Sequence, residues 1–191
     1  MFLIGYHGTF CDNLTSIKEN GFTCDIRRNH WLGQGVYFYL DDFTQTLIYI
    51  RSKRKSSKTI CVIKTKIFLP EDRNKFLDLN KRKEFHRLIN YIKDFVYNPD
   101  NNLDFDKNDP ETARCFFIDC FSKVNKTELI ICGFTHKPTS LIDFEKDIGF
   151  SVGIAPTEQQ ICVKNMKLIE IIDNTKINDR PNFRKRKIGG G

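Results

Sequence analysis

The chain has one tryptophan, two methionines and six prolines in 191 residues, and no apolar run near the roughly 20 residues that span a bilayer. A membrane-spanning protein is therefore not expected. No Cys-x-x-Cys occurs among its seven cysteines, and Cys115 and Cys120 stand five apart, off the helical i, i+4 register. A zinc site lacks its paired ligands, so no metal is expected. Neither a Walker A run nor a Gly-x-Gly-x-x-Gly fingerprint is present, which removes the common phosphate-binding loops. The N-terminus, Met1 to His7, has neither a basic region nor a long apolar stretch, and so does not read as a secretory leader. With cysteines set in apolar runs such as Ile60-Cys61-Val62-Ile63 and Ile161-Cys162-Val163, the chain reads as a cytoplasmic protein. Its thiols are expected as small buried hydrophobes in a reducing compartment.

Apolar residues make up 40% of the chain, with 17 Phe, enough for a packed core and against disorder of the whole. The net charge is +7, from 31 Lys and Arg against 24 Asp and Glu, and it is unevenly placed. Residues 51–58 hold five basic side chains and no acid, and residues 173–191 hold six against two. Such segments suit a polyanion through phosphate attraction and counterion release, or else serve as solvated, solubilising stretches.

Periodicity predicts strands at residues 2–9, 35–40, 59–69, 128–134, 149–154, 159–163 and 168–172. Helices are expected from Asp12 or Asn13 to Glu19, from Asp41 or Asp42 to about Arg51, from Glu84 to Tyr97 and from Pro110 to about Phe121. In the third of these, Phe85, Leu88, Ile89, Ile92, Phe95 and Val96 make one apolar face. The order is α+β without regular βαβ alternation. It divides into one domain over residues 1–172, with a helical insert at about 81–125, and a basic tail over 173–191.

Three segments bear on chemistry: Tyr6-His7-Gly8-Thr9 at the end of a strand, Gly33-Gln34-Gly35-Val36-Tyr37-Phe38 leading into another, and Glu158-Gln159-Gln160-Ile161-Cys162-Val163-Lys164-Asn165 late in the chain. Together they resemble the ADP-ribosyltransferase superfamily, in its diphtheria-toxin and poly(ADP-ribose) polymerase-like branch, which carries His, Tyr and Glu, Asp or Gln on three strands. The resemblance covers residues 2–172, apart from 70–125, which match nothing in it. It implies split antiparallel sheets with flanking helices, NAD⁺ as substrate, and His7, Tyr37 and Gln160 as the catalytic set, with Glu158 as the alternative to Gln160.

By the same resemblance His7 and Thr9 would contact the adenosine ribose, and the Gly8 backbone would hold the nicotinamide carboxamide. Tyr37 would stack on the nicotinamide. If one residue is inserted before Asp41, Tyr49 supplies a second aromatic and Thr46 a hydroxyl for the carboxamide. Arg28 is the candidate pyrophosphate ligand. A Gln in the acid position implies transfer of single ADP-ribose units rather than polymer synthesis. Small chains of this branch resemble toxins or antiviral effectors, for which a neutralising antitoxin is a further implied partner. The basic segments turn the acceptor toward nucleic acid, RNA in particular, ahead of protein, and residues 143–156 fall where acceptors dock. Two other readings stay open: a degenerate module that binds NAD⁺ or ADP-ribose without chemistry, and a nucleic-acid-binding protein whose motifs are incidental.

Overall fold

The computed structural model describes residues 1–53, 58–105, 108–135 and 157–177. The expected strand at 149–154, the acceptor segment 143–156 and the tail beyond residue 177 lie outside the described residues. The strands are β1 (Phe2–Phe10), β2 (Val36–Leu40), β3 (Ile60–Phe68), β4 (Phe76–Asp78), β5 (Leu129–Thr135), β6 (Thr157–Val163) and β7 (Ile169–Ile177). The helices are α1 (Leu14–Asn20), α2 (Phe43–Ser52), α3 (Arg82–Tyr97) and α4 (Pro110–Asn125).

Local chemistry sets these boundaries. Gly21, at φ +78°, ends α1 in a conformation open to glycine. The Asp42 carboxylate accepts from the Gln45 N–H to cap α2, and Asp109 caps α4 ahead of Pro110. β4, absent from the expected strands, is three residues long and too short to leave a periodic signal. β7 runs five residues past the expected domain end at 172, so the start of the supposed tail is sheet.

Among the described residues, the seven strands form one mixed sheet in the order β4-β5-β6-β2-β1-β3-β7, with β4–β5 as its parallel pair. The expectation of split sheets is thus corrected to a seam within one sheet. β1 pairs with β3 at all nine positions but with β2 at Gly5–Leu40 and Tyr6–Tyr39 alone.

The two-residue period divides the core between the faces. Val36, Phe38, Cys61, Ile63, Leu129, Ile131, Ile161 and Val163 point to one side, with Leu14 of α1 and Phe22. Ile130 and Cys162 point to the other, where Leu88 of α3 and Ile118 and Phe121 of α4 cover them. The segment expected as a helical insert is therefore the crossover that joins parallel β4 to β5.

On that second face α2 covers part of β1 and β3, and α3 and α4 cover the β4–β6 half. A cleft is left between these two layers, floored by β2 and β6.

One expectation about the cysteines is corrected. Cys11 and Cys61 form a disulfide, Cα–Cα 5.1 Å, which ties the end of β1 to the start of β3. The register places Thr9 opposite Cys61, bringing Cys11 within reach of it, while Cys24, Cys115, Cys120, Cys132 and Cys162 are free thiols. A disulfide belongs to oxidising surroundings, so the cysteines do not argue for a reducing compartment. No helix among the described residues is long and apolar enough to cross a membrane.

Candidate active site

Where β1 and β2 part, a side chain takes over from the ladder. His7 Nδ1 donates to the Tyr37 carbonyl oxygen at 2.8 Å, across thirty residues of sequence. Backbone groups of alternate residues point to alternate edges of a strand. The Ile4 carbonyl accepts the Asp41 N–H on the β2 side, so Gly8, four residues on, turns its N–H and C=O to that side as well. Pairing with β2 has ended there. Gly8 also has a packing reason to be glycine, because a Cβ would come within 2.8 Å of Ile50 of α2.

The His7 ring packs against Phe22 and Phe38, with centroids 5.2 and 5.6 Å away. Burial among these rings pushes its pKa below the ordinary value and outweighs the carbonyl hydrogen bond, which acts the other way. A neutral imidazole that donates from Nδ1 keeps Nε2 as an acceptor.

Tyr37 is clasped by the loop before it. Its hydroxyl accepts from the Leu32 N–H at 2.6 Å and donates to the Gly33 carbonyl at 2.7 Å. Burial raises the phenol pKa far above its usual range, so it stays protonated. His30 lies edge-on to the Tyr37 ring at 5.4 Å, and its Nδ1 is buried without a partner.

On β6, Gln160 and Glu158 share one face, two residues apart. Gln160 Nε2 donates to Glu158 Oε1 at 2.9 Å, and Gln45 of α2 donates to Oε2 at 2.5 Å. The carboxylate thus joins β6 to α2 across the floor of the cleft. Tyr39 pairs with Gln160 in the ladder and meets Tyr49 of α2 at 6.0 Å between ring centroids. Its phenol pKa is raised by burial first and by the Glu158 charge second.

A cavity of about 580 Å³ follows this seam and cleft, within the usual range for small-ligand sites. His7, Gly8, Tyr37, Tyr49, Glu158 and Gln160 all line it. Three other expected residues do not. Thr46 is fully buried and donates its hydroxyl to the Asp42 carbonyl one turn back, at 2.8 Å, which leaves no hydroxyl for a ligand. Thr9 is buried and accepts from Asn13 Nδ2 at 3.2 Å, so its side chain serves the turn into α1. Arg28 is exposed and does not line the cavity, which its neighbour Arg27 borders instead.

The support beneath the Gly33–Gly35 loop leaves no motif in the sequence. Asp119 of α4 accepts from the Gln34 N–H at 2.7 Å and from Lys164 Nζ at 3.0 Å, and Lys164 also reaches the Gln34 carbonyl at 2.7 Å. Gly33 sits at φ +73°, and a Cβ there would fall 2.3 Å from Asp119 Oδ1, so both conformation and space require glycine. The available signal was a carboxylate beside Ile118 and one turn after Cys115, on the apolar side of a helix, where a charge needs partners.

No protein-family model matches the chain, and no curated protein matches it. Among the described residues, no group of His, Cys, Asp and Glu could hold a metal ion.

Proposed function

We propose that this protein is an NAD⁺-dependent mono-ADP-ribosyltransferase that moves ADP-ribose onto a macromolecule and acts as a toxin or antiviral effector. The observation that carries this reading is the meeting of His7 and Tyr37 across the β1–β2 seam, beside the unpaired edge of Gly8 and the Glu158–Gln160 pair, in one cavity.

Each residue has a task there. His7 Nε2 accepts from a ribose hydroxyl. The Gly8 N–H and C=O hold the carboxamide of nicotinamide, and the Tyr37 and Tyr49 rings face its positively charged ring. The Gln160 amide and the Glu158 carboxylate hold the ribose next to nicotinamide and favour the positive charge that develops on it. The bond between that ribose carbon and the pyridinium nitrogen breaks, and nicotinamide leaves with the electron pair. The acceptor forms the new bond and yields its proton to Glu158 or to water. Holding both partners in place supplies much of the acceleration.

Nicotinamide release from NAD⁺ tests this, with and without RNA, DNA or cell extract, beside Tyr37→Ala. Release that needs Tyr37 and rises with one fraction is the expected result. NAD⁺ binding without release in any mixture would turn the reading to a binding module. Expression of Tyr37→Ala in cells should abolish toxicity.

A further inference from the structure

Trp31, the chain's only tryptophan, stands in the loop before β2 at the cavity mouth, 40% exposed. The core does not need it there, because the next residue, Leu32, fills the core position at 1% exposure. Arg114 of α4 places its guanidinium over the indole, 5.5 Å from the ring, and donates from Nε to the Trp31 carbonyl at 3.1 Å. The Phe134 ring supports the indole at 4.9 Å. Phe134 is the cross-strand partner of Glu158, so this shelf adjoins the Glu158–Gln160 pair. On the opposite wall Tyr49 is 44% exposed, with Lys53 5.4 Å from its ring. Lys53 lines the cavity and belongs to the stretch 51–58, which carries five basic residues and no acid.

An exposed indole with a guanidinium over it suits a partner that is both planar and anionic. A nucleic-acid strand offers both, a base for the ring and phosphates for Arg114 and Lys53. In a duplex the base faces are covered by their neighbours, so an unpaired strand fits. We propose that Trp31, held by Arg114 and Phe134, is a stacking platform for a base of single-stranded nucleic acid, which is the acceptor of the ADP-ribosyl group. The acceptor role rests on the reading of the cavity given above; the binding itself does not.

Because Trp31 is the lone tryptophan, its fluorescence reports stacking directly. The full chain is titrated with short oligouridine, oligothymidine and a blunt duplex, and with an unfolded acidic polypeptide as the protein arm. Quenching by one or both single strands is expected, with the duplex and the polypeptide well behind. Comparison with oligodeoxyuridine, which differs from oligouridine at the 2′ position alone, tells RNA from DNA. Arg114→Gln, which keeps the fluorophore, should weaken the interaction several-fold and lower its salt dependence. With a labelled strand, Trp31→Ala should weaken anisotropy-detected binding roughly tenfold. Absence of quenching by either strand, equal quenching by the duplex, or quenching by the polypeptide alone each overturns the platform. Nicotinamide release is followed in the same samples. Stacking with no release in any mixture refutes the cavity's reading and leaves the platform, whereas release without stacking does the reverse.

Discussion

Replacing Asp119 by alanine tests whether the loop that clasps Tyr37 is held from below. The change removes the acceptor of the Gln34 N–H and the partner of Lys164, whose side chain is 13% exposed. An unsatisfied buried N–H costs about 1–3 kcal/mol, and loss of a partner from a buried ion pair about 3–5 kcal/mol. Asp119 is 31% exposed, and Lys164 keeps its bond to the Gln34 carbonyl, so both figures fall toward their lower ends. A net loss of about 4 kcal/mol is expected, which for a chain of this size lowers Tm by roughly 8–16 °C. Asp119→Asn retains an oxygen for Gln34 but not the charge, and should lose about half as much. Asp119→Ala combined with Lys164→Met removes the ammonium left without its counter-charge, together with its bond to the Gln34 carbonyl, and should recover part of the loss. Thermal melts of the three variants measure this. If Asp119→Ala melts within experimental error of the parent, the buttress is refuted. On the proposed function, Asp119→Ala should also slow nicotinamide release at temperatures where it stays folded, because the clasp on the Tyr37 hydroxyl loosens.

Two further predictions concern stability. The Cys11–Cys61 bond closes a loop of 50 residues, so chain entropy gives it about 4 kcal/mol of stabilisation; Cys11→Ser, or reduction of the parent, should lower the denaturant midpoint accordingly, and equal midpoints with and without reductant would show that the bond does not form in solution. His7 and His30 both have folded pKa values below their ordinary 6.5, owing first to burial. The unfolded chain therefore takes up protons that the fold refuses. Stability should be flat above pH 6.5 and decline below it, by at most about 1.4 kcal/mol per pH unit for each histidine, until the folded groups themselves titrate. Denaturation at stepped pH checks this, and His7→Asn should flatten the slope; a slope unchanged in that variant would show that His7 does not carry it.

Most of the elements are legible in the order of the amino acids. Alternating β-branched runs made β3 and β5 visible, a one-sided apolar face made α3 visible, and Asp42 as a cap, Pro110 in a first turn and Gly21 marked where helices begin and end. The same order also singled out His7, Tyr37 and the Glu158–Gln160 strand, because short motifs carry their spacing with them. Tertiary structure decided what spacing along the chain cannot carry. Whether Thr9 and Thr46 face a ligand depends on which helix covers them, and each is buried against its own turn. Arg27 rather than Arg28 borders the cavity because an irregular loop has no period from which to read direction. β4 is too short to show a pattern, and the Cys11–Cys61 bond depends on a register between two strands fifty residues apart. Asp119 and Lys164 meet beneath the Gly33–Gly35 loop only after α4 has packed on β6, since a charge pair between distant segments is a property of the assembled core.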